Sequence, residues 1–101
     1  MDAAALVGAW DLVAWTVTTA AHVTTPYGSN PCGQLVYSAD GRMSALIHAA
    51  GRAPLSTASP RKAPIGEQAA AFASCFAYAG TYVVQGSEVL HTVTLALNYR
   101  F

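Results

Sequence analysis

Charge is what this sequence has least of. Only 10% of its 101 residues are Asp, Glu, Lys or Arg, and the formal net charge is zero. The basic residues Arg42, Arg52, Arg61, Lys62 and Arg100 are scattered. Nucleic acids and anionic membrane surfaces are recognised through concentrated basic patches, so neither is expected as a partner. Cysteine is almost as scarce. Cys32 and Cys75 form no CxxC and no Cys/His spacing that fits zinc, and they read as reduced thiols. No apolar run approaches the length of a membrane-spanning helix. The opening MDAAALVGAW lacks the basic start and apolar centre of a signal peptide, so a soluble, cytoplasmic protein is expected. GxSxG, HExxH, GxGxxG and phosphate-loop motifs are all missing. No metal, no nucleotide cofactor and no covalent catalysis are therefore anticipated.

What the chain does have is apolar content, 53% of residues. That is too much for a disordered segment, and it suits one small domain over residues 1–101. From Leu6 to Ala20, LVGAWDLVAWTVTTA alternates with a period of two. Trp10, Leu12 and Ala14 fall on one face and Asp11, Val13, Trp15 and Val17 on the other, which reads as a strand. Each face carries a tryptophan, and which of them points inward stays open. HVTTPYGSNPCG is a loop. QLVYSADGRMSALIHAA is a hairpin with arms Gln34 to Tyr37 and Arg42 to Ala49, turning at SADG with Gly41 in the left-handed position. Gly51 to Gly66 is a long Pro-rich connection. EQAAAFASCFAYAG then favours a helix that ends at Gly80 and sets Phe72 and Phe76 on one face. After TYVV and a Gly86–Ser87 turn, EVLHTVTLALNYRF alternates again. Val89, His91, Val93, Leu95, Leu97 and Tyr99 share its apolar side. The sum is a mainly β fold of about five antiparallel strands with one short helix, curled toward a barrel. Ligand-holding barrels of this type commonly need about eight strands, so an open edge is expected.

Three stretches together carry a resemblance: LVGAWDLVAW, PYGSNPCGQLVYSADGRMSA, and AAAFASCFAYAGTYVV with EVLHTVTLALN. They resemble the lipocalin-like domain family of bacteria and fungi over Leu6 to about Asn98. The DGRMSA-containing stretch is the specific one. The resemblance implies a lipocalin-like antiparallel β-barrel around a hydrophobic pocket. It also implies a setting in secondary-metabolite gene clusters, where some similar proteins are cofactor-free cyclases or pericyclases. Members of that family continue with further strands beyond TVTLALN, whereas this chain stops at Phe101. The expectation is therefore a truncated, incomplete barrel, completed by a homo-oligomer or left inactive.

His91 is the leading site candidate, because it sits mid-strand among Val89, Val93 and Leu95. There it is either a core histidine satisfied by a neighbour, or a hydrogen-bonding or acid/base group aimed at a ligand. Tyr82 is assigned with it to the chemistry. Trp15, Tyr37, Met43, Tyr78, Val93 and Leu95 are assigned to the wall of a pocket for a small hydrophobic molecule. Met43 and Ala45 should point inward, with Arg42 reaching water. Two roles are compatible with such a pocket. One is a carrier, and the other is a cyclase that holds its substrate in a reactive shape while polarising one carbonyl. Asp40 reads as a turn residue, Glu67 as a first-turn helix residue, and Cys75 as a buried small hydrophobe.

Overall fold

Gly41 takes φ +87°, and the turn of the central hairpin is built on it. The Gly41 amide donates to the Ser38 carbonyl at 3.2 Å and the Ser38 amide to the Arg42 carbonyl at 2.9 Å, while the Ser38 hydroxyl bonds the Asp40 carboxylate. In the computed structural model, which describes residues 2–98, this turn joins β4 (Cys32–Tyr37) to β5 (Arg42–His48). The other elements are β1 (Gly8–Asp11), β2 (Val17–Thr18), β3 (Val23–Thr24), α1 (Ile65–Ala73), β6 (Cys75–Gln85) and β7 (Glu88–Ala96). Five strands form one antiparallel sheet in the order β1-β4-β5-β6-β7, and β2 pairs with β3 apart from it. The fold is thus mainly β, antiparallel, with one short helix, and the sheet does not close into a barrel.

Strand pairing decides which residues share a face, because directly opposed residues point the same way. On β5, Met43, Ala45 and Ile47 are buried while Arg42, Ser44 and Leu46 are exposed, as the alternation requires. Their opposites across the sheet are Tyr37, Leu35 and Gly33 on β4 and Gly80, Tyr78 and Phe76 on β6. Tyr82 opposes His91 and Gly80 opposes Val93 across β6 and β7. This defines one inner face with a core of Tyr37, Met43 and Ala45, against which Leu6, Leu35, Tyr78, Tyr82 and Val89 pack.

Three expectations are corrected. The strand expected from Leu6 to Ala20 pairs with the sheet only over Gly8–Asp11. One further bond follows, from the Leu12 amide to the Gly33 carbonyl at 2.9 Å. Beyond it the partner strand runs out, since β4 begins at Cys32 after Pro31, which has no amide hydrogen to offer a ladder. The helix expected up to Gly80 ends at Ala73. From Cys75 to Thr81 every residue is opposed by one of β5, and that ladder outweighs an alanine preference of a few tenths of a kcal/mol per residue. Phe72 and Phe76 therefore do not share a helix face. Cys75 is nonetheless buried, with a free thiol.

The third correction is in β7. Gly80 opposes Val93 but Ala79 opposes Leu95, so Thr94 is an extra residue, a β-bulge. The bulge brings backbones so close that a side chain at Gly80 would put its first carbon 1.8 Å from the Thr92 carbonyl oxygen. Past this point the phase inverts. Ala96 joins the inner face opposite Tyr78, and Leu95, expected inward, is 69% exposed on the other side. Tyr99, expected on the apolar side, lies outside the described residues.

The sheet is open in a measurable way. The radius of gyration is 15.5 Å, against about 13 Å for a compact chain of this length. The accessible surface is 7097 Å², against about 5,400 Å² for a monomer of this mass.

Candidate functional site

His91 stands between two tyrosine hydroxyls. Tyr37 Oη lies 2.7 Å from Nε2 and Tyr78 Oη 2.8 Å from Nδ1. The three groups come from β4, β6 and β7 and meet over the inner face. Tyr37 is opposite Met43, one pair from the turn, while Tyr78 and Tyr82 flank Gly80, which puts no side chain between them. Tyr37 also meets Tyr82 edge-on, with ring centroids 4.9 Å apart. Burial lowers the His91 pKa from its ordinary 6.5, so the neutral ring is favoured near neutral pH. Burial likewise raises Tyr78. It raises Tyr37 too, with the neighbouring Tyr78 and Tyr82 hydroxyls adding to the effect. All three groups are therefore uncharged, as a partly apolar site demands.

The structure redistributes the roles assigned from sequence. Tyr82 is not a partner of His91: its hydroxyl donates to the Ser38 carbonyl at 2.9 Å, locking β6 to the hairpin turn. Tyr37 and Tyr78, assigned to the wall, hold the imidazole instead. Met43, 4% exposed, points inward as expected. Val93 is half-buried on the inner face beside the cluster, and Leu95 is on the opposite face.

Trp15 leaves the sheet with the irregular segment after β1. It packs between Tyr27, 5.1 Å away, and Phe76, 5.5 Å away, and Phe76 in turn stands edge-on to Tyr78. Trp15 is thus joined to the site through a chain of rings. Trp10 shares the inner face opposite Leu35, and its indole N–H donates to the Leu6 carbonyl at 2.8 Å. It remains 48% exposed, so it pins the N-terminal turn without plugging a cavity.

A cleft lies elsewhere. About 310 Å³ lie between the Ala49–Leu55 segment and α1, with Arg52 and Glu67 on its walls. Both charges are engaged structurally. Arg52 donates to the Ser74 hydroxyl and the Ala71 carbonyl, each at 2.9 Å, and so ties the end of α1. Glu67 accepts from the amide and the hydroxyl of Ser56, each at 2.7 Å, which lowers its pKa, the amide being the larger cause. His48 donates from Nδ1 to the Ala49 carbonyl at 2.8 Å. Asp40 belongs to the turn, where the Ser38 hydroxyl holds its pKa down. Among the described residues no three His, Cys, Asp or Glu side chains gather closely enough to hold a metal ion. No helix among them is long and apolar enough to cross a membrane.

The hydroxyl–imidazole–hydroxyl cluster can donate or accept a hydrogen bond at neutral charge, at the margin of an apolar surface. Sequence reasoning finds its histidine and its set of tyrosines, but not which ones meet. Counting pairs from the two-residue turn at Gly86 does place Tyr82 opposite His91. A tyrosine hydroxyl, however, sits well beyond its own backbone pair, so the residues that bond are not those that are paired. No curated protein and no solved structure matches the chain. A family model described as a lipocalin-like domain matches residues 7–98. With the antiparallel sheet, its apolar inner face and a match over nearly the whole sequence, the chain belongs to the family of lipocalin-like domains.

Proposed function

We propose that this domain binds a small hydrophobic molecule against the inner face of its sheet, with the Tyr37–His91–Tyr78 cluster orienting the ligand. The observation that carries this reading is the placement of those three neutral polar groups among Met43, Ala45, Tyr82 and Val93. Apolar area supplies affinity there, and a few placed polar groups supply orientation, as in small-molecule sites generally. The family favours the same reading, since lipocalin-like domains bind hydrophobic ligands. An intermediate of secondary metabolism is the ligand class proposed, encountered in the cytoplasm. A second copy of the chain is the proposed means of covering the inner face.

One observation favours a second reading, a cofactor-free cyclase or pericyclase. A hydroxyl backed by a neutral imidazole can polarise a carbonyl where water is excluded, and positioning then supplies the remainder of the rate.

The test separates the two faces of β7. Titration with the uncharged fluorophore N-phenyl-1-naphthylamine should show binding that Val93→Lys abolishes and Leu95→Lys leaves intact. Equal loss in both variants, or in neither, would remove the inner face from consideration. With a polyene precursor as ligand, a carrier carrying His91→Ala loses affinity at unchanged product distribution, whereas an enzyme loses rate or stereoselectivity.

A further inference from the structure

The cluster contains more hydrogen-bond donors than it can use. A neutral imidazole has one N–H and one bare nitrogen. Two tyrosine hydroxyls face it, at 2.7 Å from Nε2 and 2.8 Å from Nδ1. That gives three exchangeable protons for two hydrogen bonds. One tyrosine donates to the bare nitrogen. The other accepts from the N–H, so its own O–H must point elsewhere. The Tyr82 hydroxyl donates to the Ser38 carbonyl and makes no hydrogen bond to either tyrosine. Among the described residues, neither the Tyr37 nor the Tyr78 hydroxyl makes a second hydrogen bond.

The spare proton is not fixed to one residue. With the ring proton on Nε2, Tyr78 donates to Nδ1 and Tyr37 has the free O–H. With the ring proton on Nδ1, Tyr37 donates to Nε2 and Tyr78 has the free O–H. Exchange between the two moves one proton from one ring nitrogen to the other and rotates two hydroxyls, with no net charge formed. The two distances differ by only 0.1 Å, so the geometry gives neither arrangement a clear advantage. From this balance we infer that the ligand of the inner face carries a carbonyl-type acceptor. It takes a hydrogen bond from whichever of Tyr37 and Tyr78 the His91 tautomer leaves free, which makes His91 a positioning residue that routes one proton to either side. The inference rests on the inner-face reading above and specifies the chemistry of its ligand.

Two probes test it on the full chain. Prodan is a naphthalene bearing a propionyl ketone, and its emission moves to longer wavelength when the carbonyl accepts a hydrogen bond. N-phenyl-1-naphthylamine has no carbonyl. In the Tyr37→Phe/Tyr78→Phe double variant, Prodan affinity should fall about tenfold, the loss expected for one hydrogen bond. Its bound emission should shift to shorter wavelength, while N-phenyl-1-naphthylamine binding holds. Each single variant should retain most of the Prodan affinity, because the remaining tyrosine takes over donation. If one single variant accounts for the whole loss, the donor is fixed and the exchange is overturned. If the double variant binds Prodan as the parent does while both probes bind, the carbonyl inference fails and the inner-face site stands. If neither probe binds the parent chain, both fail together. Should the double variant not fold, ¹⁵N shifts of the His91 ring in the parent decide. Both ring nitrogens must show shifts averaged between the protonated and the bare value, and a single fixed tautomer overturns the proposal.

Discussion

Met43 and Val13 each sit in a stretch of regularly alternating residues, and they end at opposite extremes. Met43, in the β4–β5 hairpin, is 4% exposed, and Val13, after β1, is 86% exposed. The hairpin closes its own turn through Ser38, Asp40 and Gly41, so its register is set locally. It is then flanked by β1 on one side and β6 on the other. The segment after Asp11 has no such turn and loses its only neighbour at Gly33. It divides into an irregular stretch and the two-residue strands β2 and β3. Alternation proposes a strand, and a neighbour on each side makes it a wall.

The largest effect should come from withdrawing the hairpin's support on the β6 side. Gly80→Ala sets a methyl carbon against the Thr92 carbonyl oxygen, where only 1.8 Å is free. It should cost about 3 kcal/mol or more, the upper range for overpacking, measured as a lower urea midpoint. Next comes the contrast itself. Met43→Ala should cost about 2–4 kcal/mol, whereas Val13→Ala should change stability by no more than about 0.5 kcal/mol. Comparable losses in the two variants would mean that the segment after β1 is packed as tightly as the hairpin.

The smallest effect is a dependence on pH carried by the inner face alone. Burial puts the folded His91 pKa below its ordinary 6.5, so the unfolded chain binds the proton more readily. Stability should be level above pH 6.5 and fall as pH drops from there through the lowered value. His91→Gln should flatten that part of the curve. Asp40 and Glu67 are also held low, from 3.8 and 4.5 respectively, so their losses begin only at more acidic pH than that of His91. A parent curve that stays level down to pH 5 would mean His91 is solvated like a surface histidine.

The hairpin, its Gly41 turn and the inward Met43 and Ala45 were legible because each is decided within a dozen residues. The end of α1 was not. The alanine-rich run continues unchanged across Ser74, and only the remote pairing of Cys75 with His48 stops the helix. Leu95 was misplaced for a similar reason, since an unbroken alternation cannot reveal that its partner strand is one residue short at Gly80. In the site, His91 was legible as a lone polar residue on an apolar side. Nothing in the sequence told Tyr82 from Tyr37, because hydroxyl contacts are made a side chain's length away from the backbone that carries them.

The inverted phase at Thr94 has a consequence for the edge that β7 presents. Between Val89 and Val93 the odd-numbered residues face inward, and at Ala96 the even-numbered one does. A sixth strand added beside β7 in straight register would match one half of β7 and clash in character with the other, so any neighbour has to carry its own one-residue offset. Deleting Thr94 alone would erase that requirement. Leu95 would then follow Val93 directly, still opposite Ala79 on the outer face, with Ala96 still opposite Tyr78 on the inner one, so that one residue's removal makes the edge regular while both surfaces keep their side chains.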